Sequence, residues 1–269
     1  MKKITIKMPF QASFCIETDC DALFGKLILQ YGDYAVSDEF DEAWKFCIRK
    51  CGDEYVFVSP RESFTTSTPL SELDRYIFEN NVYDPSVLAL HGAAVEWQGG
   101  AHIFLAATTS GKTTLCTYLT SQGFGFLTDD CILLDRETIC VHPCTAPIQL
   151  RDGGVEVLRR HGVLPDGLTL LEEPPNLRRY VYTPSNAARA PIPLKNIFFI
   201  KRCDENHLCD MPTVERMTEL MKAPITNYPI NADYLRFLSR LAKVGCYRLY
   251  YRDMEYVKEV IQNGYTDNA

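Results

Sequence analysis

The sharpest chemistry in this sequence lies in Leu105-Ala-Ala-Thr-Thr-Ser-Gly-Lys-Thr-Thr-Leu115. Gly111-Lys112-Thr113 stands between a strand pattern and a helix pattern. There, consecutive backbone N–H groups, a helix N-terminus and a Lys ammonium can gather around phosphate oxygens. The ligand suited to that chemistry is a triphosphate such as ATP, bound by Ser110, Gly111, Lys112, Thr113 and Thr114, with the Thr113 hydroxyl on Mg²⁺. The full pattern has glycine where this chain has Ala106, a departure that costs a methyl group if the backbone angle there is negative and strains the turn if it is not. An ordinary strand–helix turn is the bland alternative.

Asp129-Asp130 follows the loop helix by about one strand, and strand ends beside a phosphate loop point into a ligand crevice. One carboxylate can hold Mg²⁺ while its neighbour accepts the proton of an attacking hydroxyl. A solvated turn would read the same way. His91-Gly92 precedes the loop strand; a lone histidine is more often structural, and Gly92 permits close backbone approach. Arg151, Arg178, Arg179 and Arg189 lie in or near an irregular stretch and are weaker candidates for gripping an acceptor or phosphate.

The elements that must position these groups follow from periodicity. Strand-like runs at Lys3 to Met8 and Glu54 to Ser59 flank a helix-like run from Asp19 to Gln30, and a second helix is expected over Ser71 to Asn80. Between them Pro60 to Leu70 reads as a loop. Val87 to Leu90 and Ala93 to Trp97 read as short strands, with a Gln98-Gly99-Gly100 turn into the His102 to Ala107 strand. A helix over Thr113 to Ser121 ends at Gly123, and Phe124 to Leu127 and a hairpin around Asp135-Arg136-Glu137 follow. Val155 to Arg160 reads as a short helix, and Pro165 to Pro193 as irregular. Leu194 to Ile200 is a buried strand, Val214 to Met221 and Ala232 to Val244 are helices, and Cys246 to Tyr251 and Met254 to Ile261 close the chain. Hairpins at 93 to 107 and 131 to 142 argue for a mixed sheet. The expected division is a small N-terminal α/β module over 1–84 and a nucleotide-binding catalytic domain over 85–269.

Composition bounds the rest. The chain has 269 residues, 46% of them hydrophobic and 23% charged, enough for a sizeable core and one to two domains. A net charge of −7 with scattered basic residues argues against nucleic acid as a partner. No apolar run is long enough to span a bilayer and no signal-peptide pattern opens the chain, so a cytoplasmic protein with no membrane partner is expected. Eleven cysteines, an odd number, favour reduced thiols over a disulfide framework, and Cys140-Val-His142-Pro-Cys144 lacks the second pair of a zinc site.

Taken together, Leu90-His91-Gly92-Ala93, the Ile103 to Thr114 loop and Gly123-Phe124-Gly125-Phe126-Leu127-Thr128-Asp129-Asp130 resemble the catalytic domain of HPr kinase/phosphorylase. That domain belongs to a P-loop class shared with ATP-dependent phosphoenolpyruvate carboxykinase. The resemblance is specific over about 85 to 151 and diffuse beyond, where Leu194 to Arg202 looks like the later core strand. It implies an α/β, mixed-sheet P-loop kinase core with ATP and Mg²⁺ as cofactors. Asp129, Lys112 and His91 would be the catalytic residues, and Thr113 and Asp130 the metal-associated ones. The chain departs from the family at Ala106, in reading Lys-Thr-Thr-Leu where HPr kinases have Lys-Ser-Glu, and in lacking the later signature for dephosphorylation. The expectation is therefore a kinase acting on a hydroxyl, serine of a protein or peptide, without the reverse activity. Transfer to a small hydroxyl such as free serine, or a nucleotide-binding regulator without catalysis, stand as alternatives.

Overall fold

The computed structural model describes residues 1–37, 44–80, 83–173, 177–225 and 230–264. The chain is mixed α/β and divides into two compact units. The first holds residues 1–84 together with 149–152 and 167–182; the second holds 85–148, 153–166 and the chain from Thr183 onward. The division is therefore not contiguous: two later segments lie with the first unit, where a single cut after residue 84 is expected from sequence.

In the first unit, β1 (Lys2–Ile6), β2 (Phe14–Thr18), β3 (Ala35–Val36), β4 (Lys45–Cys51), β5 (Glu54–Val58) and β6 (Ser63–Thr66) form one sheet in the order β3-β1-β2-β4-β5-β6. Alternation explains β1, β2 and β4: Ile4, Ile6, Phe14, Ile16, Phe46 and Ile48 are all buried. The helices α1 (Asp21–Tyr31) and α2 (Pro69–Asn80) add Leu23, Leu27, Leu73 and Tyr76 to that core. β6 falls inside the stretch read as a loop. Its Ser and Thr residues look like turn composition, yet Phe64 pairs with Phe57 across the ladder and their rings stack 5.2 Å apart.

The later segments join this unit for a visible reason. β13 (Thr169–Glu173) and β14 (Leu177–Tyr182) form a three-stranded sheet with β12 (Ile148–Leu150), and Leu171 and Val181 enter the first core. Arg179 ion-pairs with Asp74 of α2 at 3.2 Å and donates to the Gln149 side chain, while Gln30 and Tyr31 of α1 donate to the same Asp74. An ordered polar cluster thus occupies a region whose prolines spell an irregular loop.

The second unit is built on a sheet in the order β11-β10-β7-β8-β15-β17-β16, with β9 also on β7. Its strands are β7 (Val87–Trp97), β8 (Gly100–Leu105), β9 (Gly125–Thr128), β10 (Cys131–Asp135), β11 (Cys140–His142), β15 (Ile192–Arg202), β16 (His207–Asp210) and β17 (Gly245–Tyr251). Only β8, β15 and β17 run parallel to one another; the other pairings are antiparallel, as the two hairpins require. The helices α3 (Lys112–Ser121), α4 (Asp152–Arg160), α5 (Thr213–Lys222), α6 (Ala232–Leu241) and α7 (Met254–Asn263) complete the described chain. Leu90, Ile103, Leu127, Ile197, Phe237 and Leu238 lie in one core. No helix among the described residues is long and apolar enough to cross a membrane.

The two short strands expected at Val87 to Leu90 and Ala93 to Trp97 are one. Val87 to Trp97 is one eleven-residue strand, because Gly92 continues the ladder to Leu105 where His91-Gly92 reads as a break. The β7–β8 turn is as tight as expected, with Gln98 and Gly99 at φ 50° and 76°, the left-handed pair of a two-residue hairpin.

Candidate functional site

The parallel strands β8, β15 and β17 end at Leu105, Arg202 and Tyr251, and ligands of such sheets bind beyond those ends. From Leu105 the chain makes a loop into α3. Gly111, the residue capping α3, has φ 93°, a left-handed conformation that glycine adopts without strain. Gly111 has no side chain to cap the helix, which leaves the first N–H groups open to another acceptor. Ala106 is not among the residues of positive φ, so its methyl group costs little; the strained position is Thr109, at φ 66°. Sequence reasoning missed Thr109, since a β-branched residue gives no sign of that conformation.

Lys112 is buried and folds back over the loop, donating to the carbonyls of Ala106 at 2.9 Å and Ala107 at 3.0 Å. Burial lowers its pKa, and the carboxylates of Asp130 and then Asp129 oppose the shift. Ser110 Oγ, in the middle of the loop, is buried without a hydrogen-bond partner among the described residues. Thr113 and Thr114 sit in the first turn of α3, half-buried; the Thr113 carbonyl accepts from Thr117 at 2.8 Å.

The acids arrive from the other side of β7. Thr128 pairs with Ala94 and Cys131 with His91, so in that common register Asp129 and Asp130 fall opposite Ala93 and Gly92. Gly92 in turn pairs with Leu105, the last residue before the loop. Loop and acids therefore start on one row of the sheet, two strand spacings or roughly 9–10 Å apart across it. Gly92 is required there: a Cβ would come 2.6 Å from the Phe104 carbonyl oxygen and 2.7 Å from Ile132 Cδ1. The acids are not a terminal turn, because β10 resumes the same ladder after them.

The two carboxylates differ. Asp130 is exposed, whereas Asp129 is 6% exposed and its Oδ1 has no hydrogen-bond partner among the described residues. Burial raises the Asp129 pKa well above the usual carboxylate range and the charge of Asp130 adds to it; the Thr113 hydroxyl and Lys112 pull the other way. His91 has its pKa lowered, first by burial and then by Lys112, with Asp130 and its backbone carbonyl opposing. The structure thus brings His91, Lys112, Thr113, Asp129 and Asp130 into one electrostatic neighbourhood. Beneath them Cys116 is a fully buried thiol whose pKa burial raises, followed by Asp129.

The four arginines are divided between the two units. Arg179 and Arg178 belong to the first unit, where Arg179 is held by Asp74 and Arg178 by Glu172 at 3.2 Å. Arg151 is exposed in the first unit, and Arg189 exposed in the second. His142, in the cysteine-flanked tripeptide, lies 3.6 Å from Asp135, and Cys144 is buried. All eleven cysteines are free thiols. Among the described residues no group of three His, Cys, Asp or Glu side chains converges as a metal cage.

No protein-family model matches the chain, and no curated protein does. Among solved structures, it is similar to the HPr(Ser) kinase/phosphatase from Coxiella burnetii, at 11% identity and a TM-score of 0.35, over 65% of this chain and 88% of that one. The relationship is a distant one, and it assigns no role to any residue.

Proposed function

We propose that the chain is an ATP-dependent phosphotransferase that moves the γ-phosphoryl group to a hydroxyl, that of serine in a protein or peptide or in a small molecule. The observation that carries this reading is the buried, unpartnered Oδ1 of Asp129, held one residue from an exposed carboxylate and on the same sheet row as an uncapped helix N-terminus with its lysine. A buried carboxylate oxygen without a donor is costly unless a ligand supplies one.

The residues fit the ligand and its metal. The Gly111 conformation and the uncapped first turn of α3 offer amides to phosphate oxygens, and Lys112 would leave two carbonyls to reach them. Thr113 and Asp130 would hold Mg²⁺, which when bound neutralises charge on the phosphates. Asp129 takes the proton of the acceptor hydroxyl as its oxygen bonds to the γ-phosphorus and the bond to the ADP oxygen breaks. A raised pKa makes Asp129 a better base than an exposed carboxylate, provided it is ionised when the acceptor arrives. His91, neutral beside Lys112, donates or accepts hydrogen bonds without adding charge.

The test is transfer of labelled γ-phosphate from Mg·ATP to serine peptides, free serine and HPr, with Asp129→Asn and Lys112→Ala in parallel. Label on a hydroxyl, lost in both variants, is expected. Transfer undiminished in Asp129→Asn would reject the base, and nucleotide binding with no transfer to any acceptor would favour a regulatory binder.

A further inference from the structure

A tyrosine beside the loop has no part in the mechanism. Tyr251, the last residue of β17, is 3% exposed, and its hydroxyl lies 3.3 Å from the point a Cβ on Gly111 would occupy. Among the described residues that hydroxyl makes no hydrogen bond, and burial and then the nearby positive charge of Arg202 act on it. Arg202 ends β15 in register with Tyr251, is exposed, and carries no ion pair among the described residues. The ring is buried, but the hydroxyl oxygen is not one of the fully buried unpartnered polar atoms, so it faces open space beside the loop, where a ligand oxygen could accept from it.

We propose that Tyr251 is a phosphate-positioning residue, its hydroxyl donating to an oxygen of the phosphate chain held at the start of α3, with Arg202 supplying charge at the same strand ends. This rests on the nucleotide-binding reading above. Gly111 is glycine for two reasons on this view: its left-handed backbone, and the open path a side chain would close between the Tyr251 hydroxyl and the helix N-terminus. The tyrosine stays protonated at neutral pH, since burial pushes its pKa up to about 12, so it remains a donor.

The geometry separates a ligand role from a structural one. Because no atom of the described residues uses the hydroxyl, Tyr251→Phe should melt at or above the wild-type temperature without ligand. Its dissociation constants for Mg·ATP and for tripolyphosphate should each rise about tenfold or more, the usual effect of losing a hydrogen bond to a charged group. Arg202→Gln should weaken both ligands as well, more at low salt than at high salt. Lys112→Ala serves as the control that loses binding. Unchanged dissociation constants in Tyr251→Phe, with wild type binding and Lys112→Ala not, would overturn the role while leaving the nucleotide reading intact. A lower melting temperature of the free variant would make Tyr251 structural, and weakening for ATP but not for tripolyphosphate would move its contact to the nucleoside. No binding by wild type would end both readings.

Discussion

The Gly92 amide donates to the Asp130 carbonyl at 3.4 Å, and the same residue leaves no room for a side chain against the Phe104 carbonyl. Gly92 thereby fixes how near the acid-bearing strand comes to the loop-bearing one. Gly92→Ala should cost about 1–3 kcal/mol, the usual penalty of overpacking. Phosphoryl transfer should fall further than stability accounts for. Thermal melts and initial rates check this, and a variant with wild-type values for both would refute the spacing argument.

Asp129 links activity to pH and stability in opposite senses. Its pKa is raised on folding, so the folded state keeps a proton that the unfolded chain releases. Stability from this group is present at low pH and is lost as pH rises from the ordinary carboxylate range through the folded pKa. Asp129→Asn cannot ionise; it should melt above wild type at neutral and alkaline pH, converge with it near pH 4, and lose transfer by ~100-fold or more. A melting difference independent of pH would contradict the burial of a titrating acid.

His102 should govern acid sensitivity. It is fully buried on β8, Nδ1 lies 3.2 Å from Asn196 Nδ2, and burial aided by Lys195 lowers its pKa to about 4. The unfolded chain takes up the proton first, so stability falls as pH drops from about 6.5 toward about 4, by on the order of 3 kcal/mol. His102→Gln should flatten that part of the profile whatever its effect at pH 7. Chemical denaturation at several pH values measures it; an unaltered slope would exclude the histidine.

Thr109 holds a left-handed conformation that costs an L-residue about 1–2 kcal/mol, partly offset for glycine by its greater freedom when unfolded. Thr109→Gly should therefore gain up to about 1 kcal/mol and keep nucleotide binding, since the loop amides remain. A destabilised variant in urea titration would show that the threonine side chain supports the loop.

The strand, loop and helix around Gly111 are legible in sequence because local signals agree: apolar residues before the loop, helical spacing after it, and Gly123 at the end. The pairing of Asp129 with the loop row is legible only in part. Sequence marks the acids near a strand end, but the continuous ladder past them depends on Gly92 being a strand residue, and glycine beside histidine reads as a break. β13 and β14 are hidden because prolines flank them and their apolar residues are spent on a core belonging to another part of the chain. Tyr251 is invisible for a related reason: its neighbour Gly111 is 140 positions away, and no local pattern announces a contact made by strand order.

The discontinuous first unit bears on how the protein can be dissected. A fragment ending at residue 84 would lack Leu171 and Val181 from its apolar interior and would strand Asp74 without Arg179. Neither body is a contiguous piece of chain, so a clean excision is not available at any one peptide bond. Several cuts and a rejoined chain are needed to separate the first body from the second.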